Sequence, residues 1–281
     1  FGAGMQVWNE STVTLTGGEI KNNVGGLGGG IYVNESKLIM NAAENRPNGC
    51  FITDNKVVDT ASFTCGMGGG ILLMNNSYAT ITAGSVNNNK APVGGGLAIY
   101  GSEVKYGGSA AICDNASSMM GAGIFCSEYE GDNKVEYDPK IEITGGKIAG
   151  NVINGYENAI TMECDLCGKY VVYFSGSPEI TGAITLYNSH MDLSPMLYIN
   201  GMFTPVVPLV FNPTNAFVGT TVVHYADNLT VDENYKDIFT VPDGFNRELE
   251  QDGQDLKWIE RARVEFEYTT SSDLGRTEEK T

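Results

Sequence analysis

Two carboxylates occupy the same place in a repeating pattern and are the first candidates for chemistry. Asp54 and Asp114 each stand directly before an asparagine in equivalent repeats. If the repeats stack, two strand spacings separate these carboxylates by about 9.6 Å, a distance that suits an inverting glycoside hydrolase. However, Asn22 and Asn88 fill the position in other repeats, and residues 47–246 contain no arginine. We therefore expect these carboxylates to be structural and the chain not to be an enzyme.

The cysteines offer redox or metal chemistry as an alternative. Six cysteines are too few for a disulfide scaffold in a chain of 281 residues. Cys50 and Cys65 flank an insertion that a disulfide would staple, and Cys164 and Cys167 form a Cys-x-x-Cys that is either a local disulfide or two reduced thiols. A zinc site needs two further ligands, and both histidines are isolated, so we expect no metal and no cofactor. Cys126 has the inward phase of its strand and is expected to be a free core thiol.

A glycine-rich motif recurs along the chain and supplies the framework that must position these residues. Its copies are Gly2–Val7, Gly28–Val33, Gly68–Leu73, Gly94–Ile99, Gly121–Cys126 and the degenerate Asn158–Met162. The apolar anchors Met5, Ile31, Ile71, Leu97, Ile124 and Ile160 follow one another at steps of 26, 40, 26, 27 and 36 residues. A period of this length indicates a solenoid, in which each unit contacts only its neighbours.

Each repeat has the pattern of about three short strands, with an asparagine three residues after an apolar residue. These asparagines are Asn23, Asn55, Asn89, Asn115 and Asn151. Asparagine tolerates left-handed backbone and bonds nearby backbone groups, so it suits a coil corner. Because stacked coils lie about 4.8 Å apart, the aligned side chains are expected to form a ladder of amide hydrogen bonds. The sequence thus predicts an all-β fold of parallel sheets around a continuous core.

The repeat resembles the right-handed parallel β-helix of bacterial cell-surface proteins. Polymorphic outer-membrane and adhesin-like proteins combine a Gly-Gly-(Ala/Leu/Ile) motif with Phe-x-x-Asn, and Gly68–Ile71 and Ile52–Asn55 carry that resemblance here. An aliphatic residue replaces the Phe, which favours the related repeats of gut Firmicutes surface proteins. The resemblance covers roughly residues 1–200 and implies a pectin-lyase-like fold. That fold also includes polysaccharide lyases and hydrolases, which is the alternative function.

Strand alternation predicts a binding face on the outside of the first strand of each repeat. With the anchors pointing inward, the outward positions carry mostly large apolar side chains. They are Trp8, Tyr32, Leu72, Met74, Tyr100 and Phe125. Exposed apolar patches mark contact surfaces, so we expect a glycan or a protein to bind here. The alternative is that an insertion or the C-terminal cap folds over this face.

The organisation along the chain follows from where the repeats become irregular. We expect β-helix repeats over residues 1–204, with insertions near 42–66 and 128–139. Residues 205–268 are predicted to be C-terminal cap strands, because a solenoid needs an atypical end to cover its last sheet. Residues 269–281 are predicted to be a polar linker tail.

Composition limits the partners. The formal net charge of -17 argues against nucleic acid and anionic membrane surfaces. No run of 18 apolar residues is present to cross a membrane. The chain starts inside a repeat, so we expect it to be part of a larger multimodular protein that is extracellular, either secreted or attached to the cell wall. The expected function is a non-catalytic adhesin or stalk module that binds a host or bacterial surface glycan or protein.

Overall fold

The computed structural model describes residues 4–58, 66–130, 136–163, 172–187, 197–212 and 217–261. The regular secondary structure of these residues is almost entirely β-strand, with a single short helix among them. Short strands bounded by glycine and asparagine alternate in burial, which is the pattern that a strand with one buried face requires.

The strands are mostly three to five residues long. In chain order the described residues form β1 (Met5–Val7), β2 (Thr12–Leu15), β3 (Gly18–Lys21), β4 (Val24–Gly25), β5 (Ile31–Asn34), β6 (Lys37–Met40), β7 (Cys50–Thr53), β8 (Lys56–Val57), β9 (Ile71–Met74), β10 (Tyr78–Ile81), β11 (Ser85–Asn87), β12 (Lys90–Val93), β13 (Leu97–Tyr100), β14 (Glu103–Tyr106), β15 (Ala111–Cys113), β16 (Ala116–Met120), β17 (Ile124–Ser127), β18 (Tyr129–Glu130), β19 (Glu136–Tyr137), β20 (Lys140–Ile143), β21 (Lys147–Ala149), β22 (Val152–Ile153), β23 (Tyr156–Glu163), β24 (Val172–Gly176), β25 (Glu179–Ile180), β26 (Ala183–Tyr187), β27 (Leu197–Phe203), β28 (Leu209–Asn212), β29 (Thr221–Tyr225), α1 (Tyr235–Ile238), β30 (Phe239–Thr240), β31 (Glu248–Asp252) and β32 (Asp255–Ile259).

The chain passes repeatedly around four sides of a strongly curled, solenoid-like structure. Side 1 begins with β1, side 2 with β2, side 3 with β3 and side 4 with β4, and each of the next four turns adds one parallel strand to each side. The antiparallel pairing of β22 with β23 joins sides 1 and 4 into one fourteen-stranded sheet. Side 2 is a ten-stranded sheet and side 3 a six-stranded sheet. The predicted all-β class with parallel sheets is therefore confirmed.

The anchor residues of the glycine motif form one column on side 1. Their register partners follow the predicted order: Met5, Ile31, Ile71, Leu97, Ile124 and Ile160. From Ile31 onward these side chains are completely buried in the main core. The predicted alignment of the repeats is thus confirmed.

Each of the first five turns has four strands where the sequence predicted about three. The additional strand is the one on side 4, which follows each ladder asparagine. The residue after that asparagine donates its N–H to the asparagine carbonyl of the preceding turn, at 2.8 Å from Lys56 to Asn23 and at 2.9 Å from Lys90 to Asn55. The chain therefore leaves the corner extended and pairs again before it reaches the next glycine motif.

The asparagine ladder is present as predicted. In every step the backbone N–H and the side-chain Nδ2 of one asparagine donate to Oδ1 of the next. The two distances are 3.1 and 2.8 Å from Asn23 to Asn55, 2.9 and 3.0 Å from Asn55 to Asn89, 2.9 and 3.1 Å from Asn89 to Asn115, and 3.0 and 2.9 Å from Asn115 to Asn151. The last four are buried, so the ladder satisfies polar groups that would otherwise be costly inside the protein.

A second ladder of serines lies at the corner between sides 1 and 2, and the sequence analysis missed it. The N–H of Ser11 donates to Ser36 Oγ at 3.1 Å, that of Ser36 to Ser77 Oγ at 3.3 Å, and that of Ser77 to Ser102 Oγ at 3.1 Å. Each serine stands five or six residues after an anchor, so the period of the glycine motif contains this signal.

The turns change after β25. Sides 3 and 4 receive no further described strands, and the chain alternates between sides 1 and 2 from β26 to β30. Parallel pairing continues past residue 204, where β28 joins β26 and β30 joins β28. On side 2, β32 then pairs antiparallel with β29, and β31 follows at the edge.

The described part of the first predicted insertion contains an antiparallel bridge between Ala43 and Arg46. The described part of the second contains the antiparallel hairpin β18–β19.

Candidate functional site

The predicted binding face on side 1 is aligned but largely covered. Tyr32, Leu72 and Phe125 occupy one register column and point away from the main core, yet Tyr32 is 5% exposed, Leu72 0% and Phe125 3%. The prediction that these side chains are exposed is therefore wrong. Leu27 and Met67, which directly precede glycine motifs, pack with Tyr32 and Leu72 in a second small cluster outside the main core.

The first glycine of each motif explains this burial. These glycines have positive φ, between 57° and 68° at Gly28, Gly68, Gly94 and Gly121, which folds the backbone back over the strand that follows. A Cβ added there would lie 2.8 Å from Cβ of Tyr32, 2.7 Å from that of Leu72, 2.7 Å from that of Ala98 and 2.5 Å from that of Phe125, respectively. The motif that predicted the strand thus also covers its outer face.

Three of the predicted contact residues remain accessible at the margin of side 1. Trp8 is 40% exposed and meets Tyr32 edge-on at 5.9 Å between ring centroids. Met74 and Tyr100 are half-buried register partners. These three residues do not form a continuous aromatic surface, because Asn34 and Ser127 occupy the same column on the neighbouring strands.

Side 2 carries a different outward column that the sequence analysis did not identify. Its members are register partners on six consecutive strands of the sheet and are half-buried or exposed. We call it the side-2 column, and it consists of Lys105, Glu142, Tyr173, Tyr198, His224 and Asp255. Tyr173, Tyr198 and His224 follow one another at nearly the spacing of the shortest glycine-motif steps. The repeat period, extended beyond residue 160, therefore contains the signal for this column.

The rings of the column contact one another. Tyr198 stacks on His224 with 5.4 Å between centroids and 12° between planes. Tyr173 meets Tyr198 at 5.3 Å and 74°, and Lys140 Nζ lies 4.8 Å from the centre of the Tyr173 ring. The neighbouring rings and the cation therefore occupy ring faces within the column.

Charged pairs lie at both ends of the rings. Lys140 Nζ is 2.7 Å from Glu142, and Lys105 Nζ is 3.7 Å from the same carboxylate. The hydrogen bond from Lys140 holds the pKa of Glu142 below its ordinary value, and the same contact raises the pKa of Lys140. At the other end, Asp255 accepts a hydrogen bond from Thr221 Oγ1 at 3.2 Å and lies 2.6 Å from Nδ1 of His224. Asp255 therefore fixes the orientation of the imidazole ring.

The carboxylates considered first for catalysis lie at exposed corners. Asp54 and Asp114 have φ of 57° and 56°, the left-handed conformation that precedes each ladder asparagine. Asn22 and Asn88 share that conformation, which explains why Asp and Asn alternate at this position. In the part of the chain that the structure describes, no three His, Cys, Asp or Glu side chains gather in a group that could hold a metal ion.

A cleft of about 280 Å³ lies in the C-terminal part and is lined by Lys236, Phe239, Thr240, Val241, Glu248, Leu249 and Arg261. Lys236 is paired with Glu248 there. The His224–Asp255 pair does not line this cleft, and its side chains are 23% and 28% exposed.

Cys50 is buried and has no disulfide partner among the described residues. Cys65, Cys164 and Cys167 lie outside those residues, so the Cys50–Cys65 and Cys164–Cys167 pairings stay predictions. Cys126 is a free, completely buried thiol, as predicted. Burial raises the pKa of the Cys126 thiol, and a thiol that stays uncharged in the core is unreactive.

Comparison of the chain with protein families, with curated proteins and with solved structures finds no match in any of the three. Among the described residues no helix has the length and apolar character needed to cross a membrane.

Proposed function

We propose that the chain is a right-handed parallel β-helix and serves as a non-catalytic adhesin or stalk module. Support comes from the parallel turns, which follow the period of the glycine motif. The proposal places the protein outside the cell, secreted or attached to the wall, within a larger multimodular protein. In this setting the net charge of -17 keeps an extended surface soluble.

The side-2 column is the proposed binding surface, in place of the covered face of side 1. The observation that carries this assignment is the continuous register of Tyr173, Tyr198 and His224 between the charged pairs. Phenol, imidazole and ammonium groups at strand spacing match the closely spaced hydroxyls of a glycan. Asp255 lies 2.6 Å from Nδ1 of His224 and orients the ring within the column. A host or bacterial surface glycan is the preferred ligand, and a protein surface is the other partner class.

The test compares single alanine variants on a glycan array and in a cell-binding assay. We expect Tyr198→Ala and His224→Ala each to weaken binding about tenfold, as loss of a central contact does. Tyr156→Ala is the matched control, because Tyr156 is 80% exposed and lies on a different part of the surface. Equal binding by the His224 and Tyr156 variants would contradict the assignment.

A polysaccharide-active enzyme is the second candidate, and the His224–Asp255 pair is the observation that favours it. A histidine oriented by a carboxylate is a common general base. Turnover of a polysaccharide that is lost in His224→Gln and kept in Tyr156→Ala would support this candidate. Binding without turnover supports the adhesin.

A further inference from the structure

The first turn forms the edge of all four sides at one end of the molecule. Among the described residues, β1, β2, β3 and β4 each pair on one side only, with the strand of the second turn. Strand edges carry alternate N–H and C=O groups that can pair with another chain. Four such edges lie in a single turn, so they form one continuous surface around the end of the solenoid.

The apolar side chains of this turn are less covered than their equivalents in the next. Met5, Val13, Leu15 and Ile20 are half-buried, whereas their register partners Ile31, Leu38, Met40 and Ile52 are completely buried. The same core positions therefore become fully buried only when a turn lies on both sides.

The asparagine ladder has a direction, and it is open at this end. Each asparagine donates to Oδ1 of the next, and Nδ2 of Asn55 also donates to the Ile20 carbonyl of the preceding turn at 2.9 Å. Asn23 donates to Asn55, but no described residue donates to Oδ1 of Asn23. An asparagine in the same orientation, one strand spacing further out, would complete the ladder.

We propose that this end binds one more polypeptide turn that runs in the same strand direction and carries an apolar-x-x-Asn sequence. The occupant supplies the amide donor for Asn23 and covers Met5, Val13, Leu15 and Ile20. This inference does not depend on the side-2 column or on a glycan ligand.

A second copy of the chain fits this surface poorly. Two copies that meet through this end by twofold symmetry bring antiparallel strands together and place two Oδ1 acceptors of Asn23 opposite each other. The other end of a copy presents β31, which lies antiparallel to its neighbour β32. Neither arrangement continues the ladder.

The experiment adds one turn to the full chain. A copy of Gly68–Pro92 placed directly before Phe1 sets the added Ile71 as far before Met5 as Ile71 stands before Leu97 in the natural sequence. The added Asn89 then precedes Asn23 by the same natural interval. We expect amide hydrogen exchange of Thr12–Leu15 and Gly18–Lys21 to slow by about tenfold or more relative to the unmodified chain. The control carries Val86→Ser and Asn89→Ala within the added turn, and its exchange should remain close to that of the unmodified chain.

Equal exchange rates in the two fusions, with the added residues cut by protease as readily as a flexible tail, would overturn the proposal. If the fusion does not fold, the segment Gly68–Pro92 is supplied as a peptide to the unmodified chain. Slower exchange at the same amides then supports the proposal, and unchanged exchange at millimolar peptide contradicts it. A dimer of the unmodified chain that the fusion abolishes would contradict the proposal by assigning the surface to a second copy.

Discussion

Between Met5 and Glu163 successive turns are linked by buried amides and hydroxyls, whereas between Val172 and Ile259 they are linked by aromatic rings. The first region contains the asparagine and serine ladders. In the second region the core rings form a chain of contacts at 5.3 to 6.2 Å: Phe174 with Phe203, Phe203 with Phe239, Phe239 with Phe211, and Phe211 with Trp258. The same parallel pairing can thus be held by directional hydrogen bonds or by less directional packing.

The two kinds of contact differ in how strictly they restrict the amino-acid types that each region can carry. An amide ladder admits one residue type at one position, because each side chain must both donate and accept. A ring stack accepts several geometries, and the interplanar angles in the C-terminal core vary from 18° to 82°. The regular repeat therefore ends where the ladder ends.

The largest expected effect comes from breaking the ladder at its centre. Asn89→Ala leaves the buried backbone N–H of Asn55 without its acceptor and removes the Nδ2 hydrogen bonds to Asn115 and to the Ile52 carbonyl, so we expect a loss of about 3–5 kcal/mol in the free energy of unfolding. Urea denaturation measures this loss. Asn88→Gly is the matched control and should change stability by less than about 0.5 kcal/mol, because Asn88 is exposed and glycine tolerates its φ of 55°. A loss of similar size in both variants would show that the ladder is not the cause.

The ring stack should be more tolerant. Phe211→Leu removes two aromatic contacts but keeps an apolar side chain, so we expect a loss of about 1–3 kcal/mol in the same assay. Phe51, which is 37% exposed, provides the control, and Phe51→Leu should be close to neutral. A Phe211 effect larger than that of Asn89→Ala would reverse the comparison between the regions.

The smallest expected effects on stability come from two buried tyrosines. The single O–H of Tyr106 lies within hydrogen-bond distance of two carbonyl oxygens, at 2.9 Å from Ala110 and 2.7 Å from Lys147, whereas the hydroxyl of Tyr225 has no hydrogen-bond partner among the described residues. Tyr106→Phe should cost about 1–2 kcal/mol, and Tyr225→Phe should be neutral or stabilising. A destabilising Tyr225→Phe would indicate that its hydroxyl is satisfied after all.

The burial of Tyr225 also makes the stability of the protein depend on pH. Loss of solvation raises the pKa of Tyr225 to about 12 from an ordinary value of 10. The folded state therefore favours the neutral phenol, so the stabilisation is complete below pH 10 and is lost as pH rises from 10 towards 12. Tyr225→Phe should flatten the alkaline loss of stability in this window, and an unchanged pH profile would contradict the assignment.

The turns could be predicted from the sequence because each one needs the same residue types at the same two corners. Ile71 and Leu97 have to align, since the glycines before them and the asparagines after them fix both corners. The covered face of side 1 could not be predicted, because strand alternation gives the direction of Tyr32 but not what lies above it. The backbone of Gly28 provides part of that cover, and the positive φ responsible is a feature of the folded chain.

The side-2 column was missed for a different reason. Tyr198 and His224 follow the period, but they lie where the glycine motif has faded, so no anchor marks their phase. The fourth strand was missed because two residues such as Lys56–Val57 carry no recognisable alternation. The structural features that the local sequence pattern does not predict are therefore determined by contacts with residues one turn away.

The constant register has a consequence for how this molecule can vary in size. Ile71 and Leu97 are equivalent, so deletion or duplication of the segment that leads from one to the other alters the length of the solenoid by one strand spacing, about 4.8 Å, and keeps its cross-section. A change of any other length would have to bulge out at a corner, or it would shift the asparagines out of line. The length of the solenoid can therefore change only by whole turns, and related chains of different length can arise in this way.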